Sequence, residues 1–235
     1  MSTRHDDQQA LLQALQTVGT HEALRQADQL RVLYHARETA GLSHDVYAAA
    51  RGTGSPPAGW RRASEHIDQL RAAMPGLGAT DAELRDMLRP EGSGFRAEIY
   101  LPDPEVLGPG YKPTVVFKGS AHQVRMPDGT LRATATEDFI GNNFPQSIGL
   151  KTDYYDRAMD LAVALKQQGL EFDLSGHSLG GGMASAAAAV TGMRAVTHNA
   201  AGLHPQTAPR FSDENGGLPL YDTNAIVTAW QVRGD

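Results

Sequence analysis

The segment from Gly176 to Gly180 reads Gly-His-Ser-Leu-Gly and holds the serine best placed to do chemistry. A serine hydroxyl attacks a carbonyl carbon when a tight turn presents it beside a base and an oxyanion site. Glycine on either side of the serine removes side chains that would obstruct such a turn. A short run of alternating apolar and polar residues, Phe172 to Ser175, precedes the segment, and an alanine-rich run, Met183 to Val190, follows it. This order of strand, tight turn and helix is that of a nucleophile elbow centred on Ser178, with support from Gly176, His177 and Gly180.

An oxyanion site needs two hydrogen-bond donors close to the serine. The first is the backbone N–H of Leu179, the residue that follows the serine. The second is expected after a neighbouring strand, and Thr114–Phe117 is a short apolar run suited to a buried strand. Gly119 then allows the backbone to turn, and Ser120 offers both an N–H and a hydroxyl. The alternative interpretation of Gly119 and Ser120 is an ordinary turn after a strand.

The first 92 residues predict a helical accessory segment that carries no evident catalytic chemistry. Apolar residues recur at helical spacing through residues 8–50, and residues 60–74 are predicted to form a further helix. Thr80 is predicted to cap another helix, because Glu83 follows it at the spacing of a capping box. We interpret this segment as a cap or brace on a catalytic domain.

Residues 93–235 predict the catalytic domain, in which strands alternate with helices. Residues 95–101 alternate with a period of two, as a half-exposed strand does. A helix is predicted over residues 153–168, and further strands over 194–199 and 225–232. Alternating strands and helices imply a mostly parallel sheet covered on both faces, which is an α/β fold.

Composition excludes several classes of function. The chain has 235 residues and a formal net charge of −6, which gives no electrostatic footprint for nucleic acid. It has no cysteine, so disulfides and thiolate zinc sites are excluded. The first twenty residues are polar and do not resemble a secretory signal peptide, and no apolar run has the length of a transmembrane helix. We therefore expect synthesis in the cytoplasm, with any export using a dedicated secretion system rather than a cleaved signal.

Several segments together resemble the class 3 lipase family of α/β-hydrolases, and within it bacterial lipase-like phospholipase effectors. The segments are Val115–Ser120, Gly176–Gly182 and Ala195–Leu203, together with an Asp-x-x-x-Asn and Gln-x-x-Gly pattern at Asp138, Asn142, Gln146 and Gly149. Lys118 stands where the family usually has arginine. The resemblance covers about residues 95–235. It implies an α/β-hydrolase-like fold, with the helical segment added at the N-terminus, and a role for Ser120 in the oxyanion hole.

The resemblance also implies a catalytic acid at the end of the last predicted strand, which is Asp235. Asp222 and Asp213 are alternatives, and a solvated terminal residue is the other interpretation of Asp235. The order serine, acid, histidine requires a histidine after the acid, but the sequence stops at Asp235. Three explanations stay open: the chain is truncated at its C-terminus, another histidine serves, or the protein has lost activity.

Four of the nine histidines lie near the predicted site. His122 and His204 are in predicted loops on the side of the serine, so they are the best substitutes for a missing base. His177 lies inside the elbow and His198 in a predicted strand, and both are interpreted as structural. Truncation, with the catalytic histidine outside this chain, is the explanation that we prefer.

The sequence therefore predicts a serine esterase that cleaves carboxyl esters of lipids or phospholipids, without a metal or organic cofactor. The alternatives are a small-ester esterase and an inactive hydrolase fold that serves as an interaction module. The resemblance to effectors implies a secreted antibacterial toxin, with a cognate immunity protein as its partner and transient contact with a membrane surface.

Overall fold

The computed structural model describes residues 3–126, 128–147 and 150–232. The strands of this part are β1 (Trp60–Arg62), β2 (Ala97–Pro102), β3 (Thr114–Phe117), β4 (Gln123–Arg125), β5 (Leu131–Ala133), β6 (Asp173–His177), β7 (Ala195–His198) and β8 (Val227–Trp230). The α-helices are α1 (Arg4–Val18), α2 (His21–Ala49), α3 (Ile67–Ala73), α4 (Asp81–Leu88), α5 (Pro104–Leu107), α6 (Phe144–Ser147), α7 (Asp153–Gln167), α8 (Leu179–Thr191), α9 (Thr207–Glu214) and α10 (Thr223–Ile226). A 3₁₀ turn covers Ala63–Glu65, and a π-helical turn covers Glu137–Asn143.

The main sheet has the strand order β1-β2-β3-β6-β7-β8, and β4 and β5 form a separate hairpin. The pairs β1/β2 and β2/β3 are antiparallel, whereas β3/β6, β6/β7 and β7/β8 are parallel. The carboxyl ends of β3, β6, β7 and β8 therefore share one edge of the sheet, which is where ligands bind in open α/β sheets. This mixed α/β architecture is compatible with the predicted hydrolase-like fold.

Helices cover both faces of the sheet. Side chains along a strand alternate between the two faces, so neighbouring residues of one strand pack against different helices. On β3, Val115 and Phe117 belong to a large apolar cluster that includes buried residues of α7 and α8. Val116, between them, belongs to a smaller cluster that includes Leu42 and Val46 of α2. The N-terminal helix α2 thus packs on one face, and α7 and α8 pack on the other.

The helices predicted over residues 8–50 are present, as α1 and α2. Gly19, with φ of +66°, ends α1, and the Thr20 side chain caps α2. The capping box of Thr80 and Glu83 forms at the start of α4, as predicted. Among the described residues, no helix combines the length and the apolar composition needed to cross a membrane.

The helix predicted over residues 60–74 is wrong at its start, because Trp60–Arg62 forms strand β1. The Trp60 indole donates to the Glu38 carboxylate at 3.1 Å, and the Arg62 guanidinium makes two bonds to Asp45, at 2.7 and 2.9 Å. These buried partners on α2 hold the chain extended against β2, which overrides the local helical pattern. The N-terminal segment thus supplies a strand to the sheet, and the domain division after residue 92 stays a prediction.

Strand β2 is not half-exposed, because its polar side chains are also buried. The Glu98 carboxylate accepts hydrogen bonds from Ser64 and from Arg89, the latter at 2.8 Å. Arg96 donates to backbone carbonyls, including that of Ser93 at 2.9 Å. The alternation was therefore correct, but the polar face is covered by the N-terminal segment and, at Arg96, also by Arg125 and Met126. The last strand is also shorter than predicted, since a helical turn, Thr223–Ile226, precedes β8.

Candidate functional site

Ser178 lies between β6 and α8 with φ of 55° and ψ of −126°, a conformation that residues other than glycine rarely adopt. Neighbouring backbone holds it there. The Ser178 N–H donates to the carbonyl of His198 at 3.1 Å, and the Ala201 N–H donates to the Ser178 carbonyl at 2.9 Å. Such strain persists only where the surroundings fix it, and it is frequent at active sites. The half-buried serine is thus presented at the carboxyl edge of the sheet.

The glycines of the elbow are required by close backbone packing. A Cβ on Gly176 would lie 2.3 Å from the carbonyl carbon and oxygen of Gly180. A Cβ on Gly180 would lie 2.1 Å from the carbonyl oxygen of Phe117, the last residue of β3. Real Cβ atoms are not found at such distances, so any larger residue would push α8 away from the sheet.

The two predicted oxyanion donors lie on segments that touch each other. Leu179 begins α8, so its N–H has no acceptor within the helix. A Cβ on Gly180 would lie 3.1 Å from the nitrogen of Gly119, which brings the turn after β3 against the start of α8. The Ser120 hydroxyl is buried and has no hydrogen-bond partner among the residues that the structure describes. The assignment of Ser120 and Leu179 to an oxyanion hole stays a prediction.

Asp138 is fully buried and holds the turn that carries the predicted oxyanion serine. Its Oδ2 accepts the N–H of Ala121 at 2.7 Å and the hydroxyl of Thr134 at 3.2 Å, and its Oδ1 accepts the hydroxyl of Tyr154 at 2.8 Å. The buried Lys118 amine lies 3.6 Å from Oδ2. Burial lowers the pKa of Lys118, and the Asp138 charge opposes this effect. The lysine that replaces the usual arginine thus pairs with the aspartate of the motif.

The amide residues of the same motif join neighbouring elements. Asn142 accepts the backbone N–H of Tyr154 at 2.9 Å, at the start of α7. Gln146 donates to the hydroxyl of Thr207 at 2.6 Å, at the start of α9. Gly149 lies outside the described residues. Asn142 and Gln146 therefore tie the chain around them to the starts of helices α7 and α9.

Three hydroxyls spaced four residues apart on α2 bind the polar residues beneath the elbow. The pairs are Thr39 Oγ1 with His198 Nε2 (3.1 Å), Ser43 Oγ with Ser175 Oγ (3.0 Å) and Tyr47 Oη with His177 Nδ1 (3.1 Å). Residues at this spacing share one face of a helix. Sequence reasoning missed this hydroxyl stripe, although the recurrence of a hydroxyl residue at every fourth position was its signal.

Three of the four histidines near the site are hydrogen-bonded to other groups. Tyr47 binds His177, and Thr39 binds His198, which supports their interpretation as structural residues. His204 Nδ1 accepts the N–H of Gln206 at 3.2 Å, and His122 is exposed in its loop. Among the residues that the structure describes, no histidine forms a hydrogen bond with the hydroxyl of the elbow serine. The structure therefore presents the Ser178 hydroxyl at the sheet edge, and within its described residues no histidine is positioned as the partner of that hydroxyl.

The predicted acid, Asp235, lies outside the described residues. Of its alternatives, Asp222 accepts the N–H of Asn224 at 3.0 Å and caps α10. Asp213 is exposed near the end of α9. The choice among these three carboxylates stays a prediction.

Stability should depend on pH through His198. Burial lowers its pKa to about 4, and the nearby His177 adds to this effect. An unfolded chain protonates histidine near pH 6.5, so between about pH 6.5 and 4 the unfolded state binds more protons. The stability associated with the neutral ring is therefore complete above this window and is lost as the pH falls through it.

We expect His198→Gln, which retains a polar partner for Thr39, to lose less stability across this window than the natural chain. Denaturant unfolding of both proteins at intervals between pH 4 and 7 measures the difference. Equal slopes of unfolding free energy against pH would contradict the expectation.

Comparison with known proteins agrees with the resemblance read from the motifs. Residues 38–235 match the phospholipase-like family of Tle-like phospholipase domains. The chain is also 32% identical over 171 residues to an extracellular phospholipase A1 of Serratia liquefaciens. That match covers 72% of this chain and 43% of the relative, so it spans less than half of the relative's length. The similarity to bacterial lipase-like phospholipases is thus confirmed, and the chain belongs to the family of Tle-like phospholipase domains.

Proposed function

We propose that this protein is a serine esterase that hydrolyses carboxyl esters of phospholipids, with phospholipase A-type chemistry. The observation that carries the proposal is Ser178, held with positive φ between a strand end and a helix start. Membership of a phospholipase family and identity to a phospholipase A1 support lipid esters as the substrate class. The alternative within this proposal is the same serine chemistry acting on small soluble esters instead of lipids.

In the proposed reaction, the Ser178 Oγ attacks the ester carbonyl carbon and a histidine takes the hydroxyl proton. The Leu179 N–H and Ser120 stabilise the negative charge that develops on the carbonyl oxygen. The ester C–O bond then breaks, and the histidine returns the proton to the departing alcohol. Water releases the acyl group from Ser178 by the same steps in reverse order.

The base and its acid complete the proposed set of catalytic groups. We keep Asp235 as the carboxylate that orients the base, and we keep the base outside residues 1–235. His122 and His204 are the alternatives within the chain, because both lie in loops after strands that end at the edge of Ser178. An interaction module without catalysis is the second candidate function, favoured by the absence of a described histidine at the serine hydroxyl.

The cellular role is also a proposal. We propose an effector that is made in the cytoplasm, exported by a dedicated secretion system and neutralised by a cognate immunity protein. Its support is the resemblance of the motifs to delivered phospholipases. Co-purification from the native host would show a stable inhibitor complex if this proposal is correct.

The test of the proposed reaction is the release of fatty acid and lysophospholipid from phosphatidylcholine vesicles, with products identified by mass spectrometry. We expect release by the natural protein. His122→Ala and His204→Ala locate the base, and His66→Ala, an exposed histidine before α3, is the matched control. If neither this chain nor a longer natural form releases products or reacts with a fluorophosphonate serine probe, the interaction module replaces the esterase.

A further inference from the structure

Tyr47 lies on α2, inside the family match over residues 38–235 but apart from the lipase-like motifs, and its hydroxyl reaches the elbow. Its Oη is 3.1 Å from Nδ1 of His177, and the two rings meet edge to face with centroids 6.1 Å apart. His177 directly precedes Ser178, so this hydrogen bond holds the residue that leads into the strained turn.

The same hydroxyl also contacts the turn after β3. A Cβ on Gly119 would lie 2.2 Å from Tyr47 Oη and 2.5 Å from the carbonyl oxygen of His177. The phenol, the glycine and the end of β6 therefore meet at one point. Because Gly119 directly precedes Ser120, the hydroxyl of Tyr47 touches the residue before each of the two serines of the candidate site.

The protonation of the phenol decides whether Tyr47 is able to donate this hydrogen bond. Burial raises the pKa of Tyr47 to about 12, with a smaller opposing effect from a hydrogen bond with the Gly119 backbone. The phenol thus keeps its proton at neutral pH. Its one proton can be donated to Nδ1 of His177, in which case the ring accepts at that nitrogen. A neutral His177 ring then carries its own proton on Nε2.

We infer that Tyr47 is a positioning residue, whose hydroxyl fixes the separation of Ser120 from Ser178 and the tautomer of His177. The catalytic meaning of this inference rests on the proposed function. A displacement of about 1 Å at a reacting group can cost a hundredfold in rate, so a hydroxyl that touches both segments affects turnover without contacting the substrate. The N-terminal helix is then part of the catalytic apparatus.

The test is Tyr47→Phe, which keeps the ring and removes the hydroxyl. We expect kcat to fall by about tenfold or more, with KM and the midpoint of thermal unfolding nearly unchanged. Tyr111→Phe is the matched control. Tyr111 is also partly buried, burial raises its pKa to about 12, and its ring packs on His35 and Trp60, away from the elbow. An unchanged kcat in Tyr47→Phe, or parallel losses of kcat and thermal stability, would overturn the inference.

A second measurement does not depend on activity. Nitrogen-15 NMR of the His177 ring should show the Nε2-protonated form in the natural protein and in Tyr111→Phe, and a changed spectrum in Tyr47→Phe. If the natural protein hydrolyses no ester, the proposed function fails, and the spectra still decide whether Tyr47 positions His177. Identical His177 spectra in all three proteins would refute the positioning role.

Discussion

Ser178→Ala is expected to reduce ester hydrolysis by at least about a thousandfold, because the nucleophile supplies a step that the remaining groups cannot replace. The fold should persist, since the Ser178 backbone is held by its bonds with His198 and Ala201 and not by its hydroxyl. Fatty-acid release from vesicles and circular dichroism measure the two effects. Hydrolysis that survives in the alanine variant would show that another residue is the nucleophile.

Ser178→Gly separates the loss of the nucleophile from the relief of backbone strain. Glycine adopts positive φ without steric cost, so this variant should be inactive yet more stable than the natural protein by about 1 kcal/mol. A natural protein as stable as the glycine variant would mean that the elbow stores no strain. Comparing the unfolding free energies of the two proteins tests whether the backbone conformation of Ser178, which the proposed activity needs, lowers the stability of the fold.

Gly180→Ala is expected to lower the free energy of unfolding by at least about 3 kcal/mol, or to prevent folding, because overpacking against backbone cannot be relieved by a side-chain rotation. The added Cβ would lie 2.1 Å from the carbonyl oxygen of Phe117 and 2.9 Å from its carbon. Strand β3 and helix α8 would have to separate, which also displaces the turn that carries Ser120.

Gly92→Ala is the control for this prediction, since its Cβ would meet nothing within 4 Å and its φ is not positive. We expect its unfolding free energy to stay within about 0.5 kcal/mol of the natural value. Denaturant unfolding compares the two variants. Equal stability of Gly180→Ala and Gly92→Ala would show that the close packing of α8 is not required.

The parts of the fold that could be predicted from sequence are those with a local cause. The elbow depends on the residues around Ser178, and the capping box depends on Thr80 and Glu83. Strand β3 was found because its sequence, one threonine followed by three apolar residues, is typical of a strand buried on both faces, and all four residues are buried. In each case the interacting groups are close together in the chain, so their spacing is informative.

The rest depends on partners that are distant in sequence. Strand β1 exists because Arg62 meets Asp45 and Trp60 meets Glu38, and no local pattern reports such pairs. The burial of Glu98 follows from Arg89 and Ser64, which approach only in the folded chain. For the same reason, several histidines and carboxylates were candidates for the catalytic base and acid, and the sequence alone did not distinguish among them.

The bond between Thr39 and His198 joins residues 159 positions apart, and this separation bears on how the protein is made. A ribosome releases the N-terminal residues first, so α2 emerges long before β7 exists. The backbone of Ser178 also needs β7, because its N–H donates to the carbonyl of His198. The serine therefore cannot take its strained conformation until translation has passed residue 198. Under the proposed function, a nascent chain would lack an assembled nucleophile elbow, and so could not attack the lipids of the cell that makes it, through most of its synthesis.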